Sequence, residues 1–74
     1  MQKGTYQHYK GASYEVLGEV LHTETREAMV LYKALYEVED TEIGPNPLFV
    51  RPKAMFLEKV EVDGILVPRF KYKV

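Results

Sequence analysis

Val60-Glu61-Val62-Asp63-Gly64-Ile65-Leu66-Val67 is the stretch on which the fold of this 74-residue chain turns. Two β-branched runs meet at Asp-Gly, the dipeptide suited to a two-residue type I′ turn because both central residues must take positive φ. That turn fixes an antiparallel pairing in which Val62 faces Ile65, Val60 faces Val67 and Glu58 faces Arg69. Val60, Val62, Ile65 and Val67 then share one apolar face. Pro68 has no N–H to offer a neighbour, so the strand running from 65 to 72 is expected to be an edge or a bulge there.

Upstream of this hairpin, Leu48-Phe49-Val50-Arg51 reads as a short strand, and Pro52 opens a helical turn through Phe56. Residues 37–47 form a loop. Its Glu39-Asp40-Thr41-Glu42 run is acidic, and Gly44-Pro45-Asn46-Pro47 can hold neither a helix nor a central strand. Tyr14 to His22 and Glu27 to Glu37 read as a long hairpin with Thr23-Glu24-Thr25 at its tip. Tyr14, Val16, Val20 and His22 share one parity; Glu15, Leu17, Glu19 and Leu21 share the other. On the second strand Val30, Tyr32, Ala34 and Tyr36 oppose Met29, Leu31 and Leu35. A tip of three or five residues keeps the tyrosines together, whereas four would split Tyr14 from Tyr36, since a slip of one residue flips a strand. The even register is the expectation. A helix is the rival reading for 27–36, but Val30 and Tyr32 favour a strand. Residues 4–11 give a short aromatic strand or arm between glycines.

Five or six short antiparallel strands in a meander, with one helical turn near residues 52–56, make an all-β domain spanning residues 1–74. The element order is that of a small SH3-like barrel, with a rolled open sheet as the alternative.

A chain this short buries only about 60% of its unfolded surface. Without cysteine it has no disulfide to help it, so its six Tyr and three Phe must supply the packing. No secretory segment or membrane-length apolar run is present, which points to a soluble, cytoplasmic protein. The net charge of −1 argues against general attraction to nucleic acid. The charge is uneven, however: residues 15–42 are net −6 and residues 51–74 net +3.

Tyr9-Lys10-Gly11, Tyr14-Glu15-Val16-Leu17-Gly18, Ala34-Leu35-Tyr36, Val50-Arg51-Pro52, Met55-Phe56 and Pro68-Arg69-Phe70 occur in this order. Together they resemble a family of short bacterial proteins, domain of unknown function (DUF) family 1653, over about residues 4–72. Relatives usually carry Trp where this chain has Phe49, and a shorter loop than 38–47. The resemblance implies a fold family and a compartment and names no reaction.

No catalytic or metal-site signature stands out. His8 and His22 are fourteen residues apart with no third His and no Cys, too few ligands for zinc. Ser13 is the only serine and lacks a nucleophile-elbow context. No cofactor is implied, because the five glycines are scattered at turns and form no phosphate loop. The candidate ligand-facing strip is Tyr6, His8, Tyr9, Tyr36, Phe49, Arg51 and Arg69. Phenols place a ring inside and a hydroxyl at water, and an extended Arg before Pro52 can hold a carboxylate, a phosphate or a base face. The bland reading is that the tyrosines roof the fold and Arg69 pairs with Glu58. Leu17, Leu21, Met29, Leu31 and Leu35 lie opposite the tyrosines and form a candidate surface for a protein partner or a homodimer. A non-enzymatic binding or adaptor module is the favoured function. A single-stranded nucleic-acid binder and a small carboxylate–histidine enzyme are the alternatives.

Overall fold

The Asp63-Gly64 turn forms as its sequence requires, with φ of 51° and 81° at the two central residues. It joins β5 (Lys59–Val62) to β6 (Ile65–Pro68) with Val62 opposite Ile65 and Val60 opposite Val67. This computed structural model describes residues 1–74. The chain beyond Pro68 does not continue that strand. Arg69 breaks it, donating its N–H to Glu58 (3.1 Å) and offering its carbonyl to the Tyr9 N–H (2.9 Å). From there β7 (Phe70–Tyr72) joins a different sheet, antiparallel to β1 (Gly4–His8).

That second sheet is the body of the molecule. Its order is β4-β3-β2-β1-β7, with β2 (Ser13–Leu21), β3 (Ala28–Ala34) and β4 (Leu48–Pro52) completing it. Residues 28–34 are strand, and the helical reading of 27–36 is excluded.

The register of the long hairpin is split. Tyr14, Glu15 and Val16 pair with Ala34, Lys33 and Tyr32, the even register that keeps tyrosines on one face. Nearer the tip, Gly18 to Leu21 pair with Leu31 to Ala28, one residue out of step. The tip has four residues, Thr23 to Arg26, closed by the His22 N–H to the Glu27 carbonyl (2.9 Å). A bulge at Leu17 absorbs the extra residue. Beyond it the side-chain parity inverts, so Glu19, opposite Val30, joins the core side and Val20 leaves it. Glu19 uses that position to bind the Met1 ammonium (2.7 Å) and Lys53 Nζ (3.0 Å).

The fold is all-β with one helical turn, α1 (Lys53–Phe56), and two sheets; it is not the closed SH3-like barrel expected from element order. Seven strands are present, and β4 and β7, the edges of the large sheet, do not hydrogen-bond to each other. The sheet nevertheless curls strongly. In a flat sheet Tyr32 on β3 and Phe70 on β7 would stand about 14 Å apart at the usual strand spacing. Their ring centroids are 5.8 Å apart. What fills the roll is a side chain. Phe56 from α1, 1% exposed, stacks on Phe70 at 4.1 Å and meets Tyr6 and Tyr32 edge-on. Backbone pairing between β4 and β7 would need this space, and three residues of β7 offer little ladder to pair with. Val16 and Val30 complete the core. No helix is long and apolar enough to cross a membrane.

Candidate functional site

Both histidines are built into turns. The His8 Nδ1 accepts the Lys10 N–H (3.2 Å) across the β1–β2 turn, while the Gly11 N–H binds the His8 carbonyl (2.7 Å). The His22 Nδ1 accepts the N–H groups of Glu24 (3.2 Å) and Thr25 (3.3 Å) at the hairpin tip. Each imidazole therefore acts as a turn cap, a role that single-residue reading of the chain did not suggest. No three His, Cys, Asp or Glu side chains cluster as metal ligands would.

The inner face of the curled sheet opens into an aromatic mouth. Tyr32 and Phe49 sit opposite each other on β3 and β4, and Val30 sits opposite Arg51, so Arg51 projects to the core side. Its Nε donates to the Tyr32 hydroxyl (3.3 Å), and its guanidinium carbon stands 5.5 Å from the Phe70 ring centre. β4 and β7 are the two sheet edges, about 19 Å apart if flat, so only the curl brings these groups together. His8, opposite Phe70, meets the same ring edge-on at 4.9 Å. Tyr14 lies 5.6 Å from Phe70, and its hydroxyl shares a 2.8 Å hydrogen bond with that of Tyr36. Burial, then that hydrogen bond, push the Tyr14 phenol up to about 12.

The mouth is electropositive. Burial first, then the charges of Arg51, Arg69 and Lys10, hold His8 below its ordinary value. Arg69 is engaged with Glu58 through Nη2 (3.0 Å), as the hairpin register implied, and its Nε is buried with no partner. Arg51 forms no ion pair: the four in the structure involve Met1, Lys33, Lys53 and Arg69.

Of the strip expected from sequence, His8, Tyr36, Phe49 and Arg51 converge on this mouth, with the Tyr9 ring packed at a tilt beside His8 (4.6 Å). Tyr6 does not join them. It is 7% exposed in the core, its hydroxyl donated to the Gln2 carbonyl (2.6 Å). Tyr14, Tyr32 and Phe70 belong to the mouth but were not on the strip.

The leucine set does not make one surface. Met29 is buried, Leu17 is the half-buried bulge and Leu31 is half-buried. Leu21 and Leu35 are exposed, but at opposite ends of the long hairpin.

A family model described as "Protein of unknown function (DUF1653)" matches residues 4–72. The chain belongs to the DUF1653 family. A crystal structure of a DUF1653 protein from Bordetella bronchiseptica is similar with a TM-score of 0.86 and 33% identity, covering 99% of this chain and 87% of that one. No curated protein matches. In this DUF1653 chain Phe49 packs on Tyr32 at 5.6 Å inside the mouth. The motif residues Tyr14, Tyr36, Arg51, Phe56 and Phe70 all lie in or under it, so the quoted pattern and the mouth coincide.

Proposed function

We propose that this DUF1653 chain is a binding module whose ligand presents an acidic group to Arg51 at the aromatic mouth. The observation that supports this is the state of Arg51. It is half-buried, oriented by one hydrogen bond to Tyr32 and held against Phe70, yet its Nη groups meet no carboxylate. A guanidinium placed this way is pre-organised for a carboxylate or phosphate, which it grips bidentately. Tyr36 and Tyr9, 46% and 40% exposed, flank the opening with ring surface for an apolar or flat ligand body. The remaining seven aromatic rings pack largely on one another. That leaves two exposed rings, few for the successive stacking a single-stranded nucleic acid needs. Glu58, the carboxylate best suited to acid–base work, stands in the open beside Arg69.

Phenyl phosphate, with phenol as the uncharged control, probes this reading by amide and imidazole NMR titration. Phenyl phosphate should move His8 and the residues around Arg51 saturably, and phenol should not. Arg51→Ala should abolish the response while the Tm stays within about 5 °C, since the change removes one partly exposed hydrogen bond. Identical shifts in wild type and Arg51→Ala would refute the reading. A collapse of the fold in the variant would make Arg51 structural instead.

A further inference from the structure

The two sheets leave four strand edges open, and three of them are blunted. β4 is bracketed by Pro47 and Pro52, β7 has only three residues, and β6 ends in Pro68. Short edges and prolines are the usual protections against edge-to-edge pairing. β5 has neither. It pairs only with β6, and Lys59 and Glu61 are exposed.

The direction of its free backbone groups follows from one hydrogen bond. The Arg69 N–H binds the Glu58 carbonyl, so Glu58–Arg69 is a hydrogen-bonded pair of this ladder. Such pairs alternate in antiparallel sheets. Val60–Val67 and Val62–Ile65 are therefore hydrogen-bonded pairs, while Lys59–Pro68 and Glu61–Leu66 are not. Pro68 thus loses nothing by lacking an N–H, and the N–H and C=O of Lys59 and Glu61 point to the open side.

We infer that β5 is a self-association edge, through which two copies of this chain pair antiparallel with Lys59 of one opposite Glu61 of the other. Only a register centred on Val60 lets the outward groups of Lys59 and Glu61 meet each other, and it does so twice by two-fold symmetry. The same register sets opposite charges face to face, which stabilises cross-strand pairs. A lysine on an edge normally deters pairing; here each one meets a glutamate, whereas a parallel in-register arrangement would set Lys59 against its own copy. The product is a four-stranded sheet that joins the apolar faces carrying Val60, Val62 and Ile65, the last 66% exposed in the single chain.

Sedimentation equilibrium on the full chain, up to about 1 mM, tests this. A monomer–dimer equilibrium is expected. Lys59→Glu alone or Glu61→Lys alone sets like charges opposite each other twice and should weaken it about tenfold. Mixing the two single variants, or combining both changes in one chain, restores opposite charges and should restore the dimer. A monomer at every concentration, or a dimer indifferent to these swaps, would overturn the inference. Circular dichroism melts matching wild type would establish that each variant is folded. The phosphate-probe experiment at the mouth reads a separate surface and is unaffected by either result.

Discussion

His8 carries three duties at one position: it caps a turn through Nδ1, packs on Phe70 and faces Arg51, Arg69 and Lys10 without an acid among them. Protonation would cost the cap and add a fourth positive charge. Its folded value therefore lies below the ordinary 6.5, mainly through burial. Between those two values the unfolded chain binds the proton and the folded chain does not. Stability is thus fully present above 6.5 and is lost as pH falls from there through the folded value. Melting temperatures taken from about pH 7 down to about pH 5.5 should decline, and His8→Asn, whose Oδ1 can still accept the Lys10 N–H, should flatten the decline. An unchanged slope in the variant would assign the effect to another group. Glu19, drawn below its ordinary 4.5 by hydrogen bonds from the Met1 ammonium and Lys53, acts in a lower pH range and leaves this window clear. An anion bound at Arg51 should raise the His8 value, linking this measurement to the proposed ligand.

The long hairpin shows two local irregularities that make sense only as a pair. A four-residue tip, with Arg26 at φ 64°, throws the strands one residue out of step. The bulge at Leu17 brings them back before Val16 and Tyr14, which must face the core. Deleting Leu17 alone should remove the extra residue and leave one regular ladder, with Gly18 opposite Leu31 and Val16 still opposite Tyr32, so that Val16 and Tyr14 stay inward. Val16 is 1% exposed, so keeping that pairing keeps the core, and circular dichroism should show a folded chain. A chain unfolded by the loss of Leu17 would mean that the bulge does more than correct the register. The even register read from the alternation of tyrosines was therefore right where burial enforces it, at Tyr14 and Val16. It failed toward the tip, where Glu19, Val20 and Leu21 of β2 are exposed and turn geometry decides.

At the scale of the whole molecule, the sheet is wrapped around one ring. The radius of gyration of 13.0 Å exceeds the roughly 11 Å of a close-packed domain of this length, in keeping with a β5–β6 hairpin that pairs with no other strand. Phe56→Ala removes a ring that touches Tyr6, Tyr32 and Phe70 at once. Such truncations cost about 3–5 kcal/mol, and urea melts should place this variant at or beyond the margin of a small domain's stability. A loss under about 1 kcal/mol would show that the roll holds without its plug. The same ring supports the surface on which Arg51 rests, so this variant should also lose the phenyl phosphate response, whereas Arg51→Ala should lose the response alone.

The chain's own chemistry determined its local pieces. The Asp63-Gly64 turn, the short turn after Pro52 and the strand over 28–34 follow from backbone preferences that act within a few residues. The family too was legible in the order of its motifs. The tertiary structure alone decided whether the sheet closed and which aromatics were left exposed. Closure depends on the distance between β4 and β7, strands some twenty residues apart with α1 and a hairpin between them. No periodicity encodes that distance. Tyr6 and Tyr36 look alike in sequence, yet one lies in the core and the other at the mouth, because burial is set by the curl of the whole sheet and not by the neighbours of either residue.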